Sequence, residues 1–184
     1  MGKEFTQNSR INELEELTKK LNKSEDEVRL AYKIVKLITD NIVSMLWAKD
    51  EQDRYLFANK HLCINILKCL PEEVIGKSDN ELHEYGKLLG IENTFGKICK
   101  ETDEITKREK KPCRFLEIGK INGTEIWLEV KKTPIMNGIM RGTVGVATMI
   151  PETNKDFFMG KVHKGMKLEN IVKINNQTYR FLQV

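Results

Sequence analysis

Residues 113–150 read CRFLEIGKINGTEIWLEVKKTPIMNGIMRGTVGVATMI. Three apolar-rich runs, Cys113–Ile121, Glu125–Ile135 and Gly142–Ile150, are split by the pairs Asn122-Gly123 and Asn137-Gly138. Asn-Gly supplies the positive φ angles of tight hairpin turns, so this stretch predicts three consecutive antiparallel strands. Just before it, Thr94–Arg108 places Phe95, Ile98, Cys99, Thr102 and Ile105 on one helical face. The basic run Lys107-Arg108-Glu109-Lys110-Lys111 suits that helix's C-terminus, where cations oppose the dipole.

Further upstream, residues 71–93 contain Pro71, Gly76, Gly86 and Gly90 and read as short helices joined by loops. Val43–Lys49 and Arg54–Ala58 flank the polar turn Asp50-Glu51-Gln52-Asp53, a hairpin signal. Asn59 is placed to cap a short helix, Lys60–Leu67. The order is β-β-α-α-α-β-β-β. It predicts an α+β domain, a five-stranded antiparallel sheet with helices on one face. No parallel βαβ unit or glycine-rich phosphate loop is evident.

A long helix is predicted ahead of this domain. Leu14, Leu17, Leu21, Ser24, Val28, Ala31, Val35, Ile38 and Ile42 alternate spacings of three and four. That is a coiled-coil seam over about four heptads. Lys20 and Glu25 fall at g and the following e position, the offset for an interhelical ion pair in a parallel homodimer. Ser24-Glu25-Asp26-Glu27 is also a capping-box pattern, so a restart of the helix is expected there. The expected division is 1–40 helix or coiled coil, 41–150 domain body, and 151–184 C-terminal extension. In the extension, Ile171–Ile174 and Thr178–Val184 around Asn175-Asn176 read as a β-hairpin, and no exit helix is expected after Pro151.

The 184 residues are 40% hydrophobic and 32% charged, a globular balance with a charged surface. The net charge of +4 is not gathered into a Lys/Arg stripe, which argues against a nucleic-acid partner. No apolar run reaches the roughly 20 residues of a membrane span, and the polar start MGKEFTQNSR argues against a secretory signal. Cys63, Cys69, Cys99 and Cys113 form no Cys-x-x-Cys pair, and His61, His83 and His163 are scattered. Neither a zinc site nor covalent haem is expected, and a cytoplasmic, reducing location suits the free thiols. No local nucleophile–base motif points to an enzyme: Asp103 and Glu104 are helix neighbours that point apart, and Glu72, Glu73, Asp50 and Asp53 read as turn or cap residues.

Met45–Asp50 followed by Arg54–Lys60 resembles the opening hairpin of PAS domains, whose second strand runs into an Asn-initiated helix. Pro71-Glu72-Glu73-Val74-Ile75-Gly76-Lys77-Ser78-Asp79 resembles the PAS helix that ends at Gly before a polar cap. Trp127–Val130 through Pro134-Ile135, then Gly142–Thr148, resembles the last two PAS strands. The resemblance covers roughly residues 40–150. It implies a signal-input module that holds a small molecule between helices and sheet, associates with another domain, or does both. The alternative is a structural dimerisation module whose core is simply filled. The chain departs from sensor-kinase PAS domains after residue 148, where Met149-Ile150-Pro151 replaces their Asp-Ile-Thr cap, so any output passes to a separate signalling partner.

The resemblance also frames the cofactor question. Cys113-Arg114-Phe115-Leu116 echoes the flavin-adduct motif of light-oxygen-voltage domains but lies on a strand after the long helix. The equivalent slot holds Asp79, whose carboxylate cannot form the thiol adduct. The long helix has no His or Met for haem, leaving only Cys99 and a loop His83. The expected ligand-contacting residues are Phe95, Ile98, Cys99 and Ile105 on the helix, with Arg114, Phe115, Glu117 and Trp127 on the strands. Strand parity is open: either Cys113, Phe115 and Glu117 face inward, or Arg114, Leu116 and Ile118 do. If Arg114 faces in, its planar fork suits a small polar, carboxylate-bearing metabolite.

Overall fold

A computed structural model describes residues 2–159, 171–174 and 177–183, with side chains at 10 and 14–155. Two compact units divide the chain after Asn41. The first is a single helix, α1 (Gly2–Asp40). It runs through Ser24 without the expected restart, because the Leu, Lys and Glu residues on both sides favour helix and one Ser costs only a few tenths of a kcal/mol. A Lys36–Asp40 ion pair at 2.9 Å and the Thr18 hydroxyl, which donates to Leu14 O at 2.8 Å, brace its turns. Its seam residues Leu14, Leu21, Val28 and Ile38 are exposed in the single chain.

The second unit contains β1 (Met45–Asp50), β2 (Tyr55–Ala58), α2 (Lys60–Leu62) running into a π-helical turn Cys63–Leu67, α3 (Pro71–Val74), α4 (Asp79–Leu88) and α5 (Phe95–Glu109). These are followed by β3 (Cys113–Ile121), β4 (Thr124–Asn137), β5 (Ile139–Met149), α6 (Glu152–Met159), β6 (Ile171–Ile174) and β7 (Gln177–Gln183). Asn59 starts α2 as its residue type suggests: its side-chain oxygen accepts from Leu62 N at 3.1 Å and also from Leu46 N at 3.0 Å, tying helix to β1. Ser78 and Glu81 form a capping box that opens α4.

The five expected strands pair antiparallel in the order β2-β1-β5-β4-β3, with the helices lying on one face. The sheet does not stop at β3. Strand β7 adds parallel to β3, and β6 pairs antiparallel with β7, giving seven strands. An edge strand as long as β3 leaves a row of unpaired backbone groups, and β7 covers them. Asn175 and Asn176, the expected hairpin turn, lie outside the described residues. A helix, α6, does follow Pro151, contrary to the sequence expectation. The ring fixes φ near the helical value and costs nothing where no N–H bond is required.

The inner face is set by alternation. Met45, Trp47 and Lys49 of β1, Cys113, Phe115 and Glu117 of β3, Leu128, Val130 and Lys132 of β4, and Thr143, Gly145 and Ala147 of β5 are buried there. Phe95, Ile98 and Val74 close over them, together with Leu62, Cys63 and Ile66. On the opposite face Leu116, Ile118 and Trp127 form a separate cluster with Ile150. The Lys155 ammonium stands 5.9 Å from the Trp127 ring, and Trp127 Nε1 donates to Glu125 at 2.7 Å.

Trp47 lies flat on the sheet only because its neighbour in register is Gly145. A Cβ at Gly145 would sit 2.1 Å from the indole carbons Cε2 and Cζ2, well inside van der Waals contact. Gly145→Val is therefore expected to displace Trp47 and lower stability by about 1–3 kcal/mol. Urea unfolding followed by tryptophan fluorescence reads this, and an unchanged midpoint would refute the contact.

Candidate ligand cavity and its charged wall

Alternation brings two lysines into the interior. Lys49 and Lys132 are fully buried and converge on Asp103, itself fully buried on α5. Asp103 Oδ2 is 2.7 Å from Lys49 Nζ, and Asp103 Oδ1 is 2.6 Å from Lys132 Nζ. Lys49 also pairs with Asp79 at the start of α4, whose other oxygen accepts from the Tyr55 hydroxyl at 2.8 Å. Lys132 donates further to Thr102 Oγ1 at 2.7 Å and to Cys99 O at 3.0 Å. Glu117 stands at the rim of this network, 3.9 Å from Lys132 Nζ and 2.8 Å from the Thr102 hydroxyl.

The two lysines face three carboxyl groups, and burial and pairing act in opposite senses on Asp103 and Glu117. Burial alone would raise the pKa of Asp103, but Lys132 and Lys49 outweigh it and hold the carboxyl below its ordinary value. For Lys49, burial works to lower the pKa, yet Asp103 and Asp79 together keep it well above the ordinary lysine value. For Glu117, burial dominates: Lys132 and the Thr102 bond offset it only in part, and its pKa is raised. Burial also pushes the Cys99 thiol well up, which keeps it in the unreactive neutral form.

Beside this network lies a cavity of about 30 Å³, room for one or two water molecules. Its apolar lining comes mainly from Leu62, Ile66 and Leu67 of the α2 segment, Leu82 of α4, Phe95 of α5, and Leu128 and Ala147 of the sheet. Its polar lining is Tyr55, Asp79, His83, Asn93, Cys99 and Glu117, with Trp47 completing the wall. Two buried polar atoms of that lining, Trp47 Nε1 and His83 Nδ1, have no hydrogen-bond partner among the described residues.

The sequence profile of the PAS fold matches residues 39–154. The chain belongs to the PAS-fold family. No curated protein sequence matches it. Among solved structures, the PAS domain of BvgS from Bordetella pertussis is similar at a TM-score of 0.52 and 16% identity, covering 70% of this chain and 93% of that one. The phage VqmA–DPO complex gives 0.52 and 15% identity, with 79% and 64% coverage. VqmA bound to DPO gives 0.50 and 15%, with 65% and 57% coverage. This chain thus spans under two thirds of the VqmA chains it matches, and at such identities the likeness is one of fold.

Within this PAS domain the expected contact residues separate. Phe95, Cys99 and Glu117 line the cavity. Ile98 and Phe115 are core residues with no exposure, and Ile105 packs against that core from its edge. Arg114 and Trp127 lie on the opposite face of the sheet, Arg114 half-exposed and 3.4 Å from Glu129. The inward parity is that of Cys113, Phe115 and Glu117, so Arg114 offers no fork to a cavity ligand. A guanidinium reaches water from the outer face, whereas on the inner face it would lie under α5. Asp103, expected only as a helix neighbour of Glu104 pointing away from it, is the centre of the network.

Trp47, Tyr55, Asp79, His83 and Asn93 were not expected at the site, nor were Lys49 and Lys132 beside it. A signal for the lysines existed. Each continues an apolar alternation, Met45-Trp47-Lys49 and Leu128-Val130-Lys132, one step further along the same face.

Removing the shared acid should expose what the network costs when broken. Asp103→Ala and Asp103→Asn both leave two buried ammonium groups short of a counter-charge, and each is expected to lose about 3–5 kcal/mol. Chemical denaturation measures this, and variants as stable as the parent would show that the lysines reach water.

Proposed function

We propose that this chain is a sensory rather than catalytic PAS module whose interior cavity binds a small molecule and whose signal passes to a separate partner. The observation that carries the reading is a partly open, largely apolar cavity holding a few convergent polar groups, two of them with an atom that has no partner among the described residues. That is the general form of a small-molecule site. The VqmA structures solved with DPO lend support, as examples of this fold with a ligand. Their sequences are too distant to carry the ligand's identity across.

The second reading, association without a ligand, is favoured by the cavity's volume of about 30 Å³, close to a filled core. A thermal-shift panel of small metabolites separates the two. A true ligand at about 100 times its dissociation constant should stabilise the protein by about 2.7 kcal/mol. No shift across the panel, together with an experimental structure showing the cavity closed, would leave association alone.

Assembly is read from α1. Its seam residues Leu14, Leu17, Leu21, Val28, Val35 and Ile38 are about half or more exposed in the single chain. A second copy, packed in parallel, would cover them, each large side chain contributing on the order of 1.5–3 kcal/mol. Light scattering is expected to give a dimer for the intact chain and a monomer for Leu21→Glu/Val28→Glu. A monomeric parent, or a dimeric variant, would refute the seam as the interface.

A further inference from the structure

The small-molecule reading leaves the ligand's chemistry open, and the cavity wall narrows it. Two charged side chains line the cavity, Asp79 and Glu117, and both are acidic. Each oxygen of Asp79 already has a partner: Oδ1 accepts from the Tyr55 hydroxyl and Oδ2 pairs with Lys49. Glu117 differs. Its Oε1 accepts from Thr102, while its Oε2 has no hydrogen-bond partner among the described residues. Trp47, only 5% exposed, lines the same cavity, and its indole N–H has no hydrogen-bond partner among the described residues. An indole nitrogen only donates. The cavity therefore offers an acceptor at Glu117 and a donor at Trp47, with His83 Nδ1 as a further unpartnered polar atom of the lining among the described residues.

We propose, resting on the small-molecule reading, that the cavity selects a compact, neutral or cationic ligand that donates a hydrogen bond to Glu117 Oε2 and accepts one from Trp47 Nε1, and that it rejects carboxylates.

The acceptor role of Oε2 holds in both protonation states of Glu117. Ionised, both oxygens accept. Neutral, the proton fits on Oε1, facing Thr102 Oγ1 at 2.8 Å, while the threonine turns its own hydrogen to Ile98 O at 3.0 Å. A carboxylate ligand would place another negative charge beside Asp79 and Glu117 in a dry site. The two lysines do not line the cavity and are already committed to Asp103, Asp79 and Thr102. Like charges sharing a buried site repel strongly, and an unpaired buried charge is costly.

The size of a ligand is not limited to the enclosed space. His83, Ile91, Asn93 and Gly96 line both this cavity and an outer groove of about 550 Å³. They form a shared wall between the two, so a ligand anchored at Glu117 that outgrows the cavity would have to displace this wall to reach the groove. At Gly96 the wall is tightly packed: a Cβ there would stand 3.4 Å from His83 Cβ.

Three matched probes test the proposal on the full chain: aminopyridine, methylpyridine and pyridinecarboxylate, each substituted ortho to the ring nitrogen. Nitrogen-15 NMR follows the indole N–H of Trp47, assigned with Trp47→Phe, and Trp127 on the opposite face serves as the internal control. Aminopyridine is expected to shift the Trp47 signal and to bind about tenfold or more tighter than either other probe, the size of one buried hydrogen bond. Glu117→Leu should reduce aminopyridine to the methylpyridine level. The parent protein's ranking of the probes stands even if that variant does not fold. Tightest binding by the carboxylate overturns the proposal and leaves small-molecule sensing intact, as does equal binding of the amine and methyl probes. No binding at Trp47 by any probe at millimolar concentration overturns the proposal, while the small-molecule reading is decided separately by the thermal-shift panel.

Discussion

The interior of this domain depends on one carboxylate held between two ammonium groups. Asp103 takes Lys49 from β1 on one oxygen and Lys132 from β4 on the other, so a single α5 side chain fixes the helix to two strands that are not neighbours in the sheet. Such clusters add little net stability, because three charges must be stripped of water first. They do impose register. A helix slid by one residue would bury the lysines without a counter-charge, which is far costlier than misplacing an apolar contact.

This constraint propagates to the cavity. With α5 fixed, Phe95 is directed onto Gly119, where a Cβ would meet its ring at 2.8 Å, and Cys99 faces the interior. Lys49 draws in Asp79, and Asp79 positions Tyr55, so the start of α4 and the β2 strand are tied to the same network. Counting Glu117, there is one carboxyl more than there are lysines. The raised pKa of Glu117 eases that excess: buried and farthest of the three acids from a lysine, it holds its proton to a higher pH than an ordinary carboxyl does. The carboxyl that the network uses least thus lines the cavity, beside Asp79.

The opposite face of the sheet has a different physical character. Leu116, Ile118 and Trp127 are buried there although they have the outward parity, and Lys155 reaches over Trp127. In β3 both parities are consequently buried over residues 115–119, so burial of a strand residue alone did not reveal which face it joined. Two-sided burial is also why Arg114, near the strand's start and half-exposed, settles on the outer side with Glu129.

Much of the architecture was legible because it rests on local rules. Asn122-Gly123 and Asn137-Gly138 mark turns, Asn59 starts its helix through its own side chain, and the three-four spacing from Leu14 onward marks a long helix. The PAS resemblance followed from such short pieces in order. What the sequence could not decide was which chemistry-bearing residues meet. Lys49, Asp79, Asp103, Glu117 and Lys132 are scattered over more than 80 residues, and no spacing rule links them. Their convergence requires strand pairing and the packing of α5, and ion pairing in a dry interior is a through-space interaction with no local signature. The sequence by itself determined the elements and their order. Tertiary structure alone decided that Glu117 faces the cavity and Arg114 does not, because side-chain parity is assigned only when one face of a sheet meets its helices.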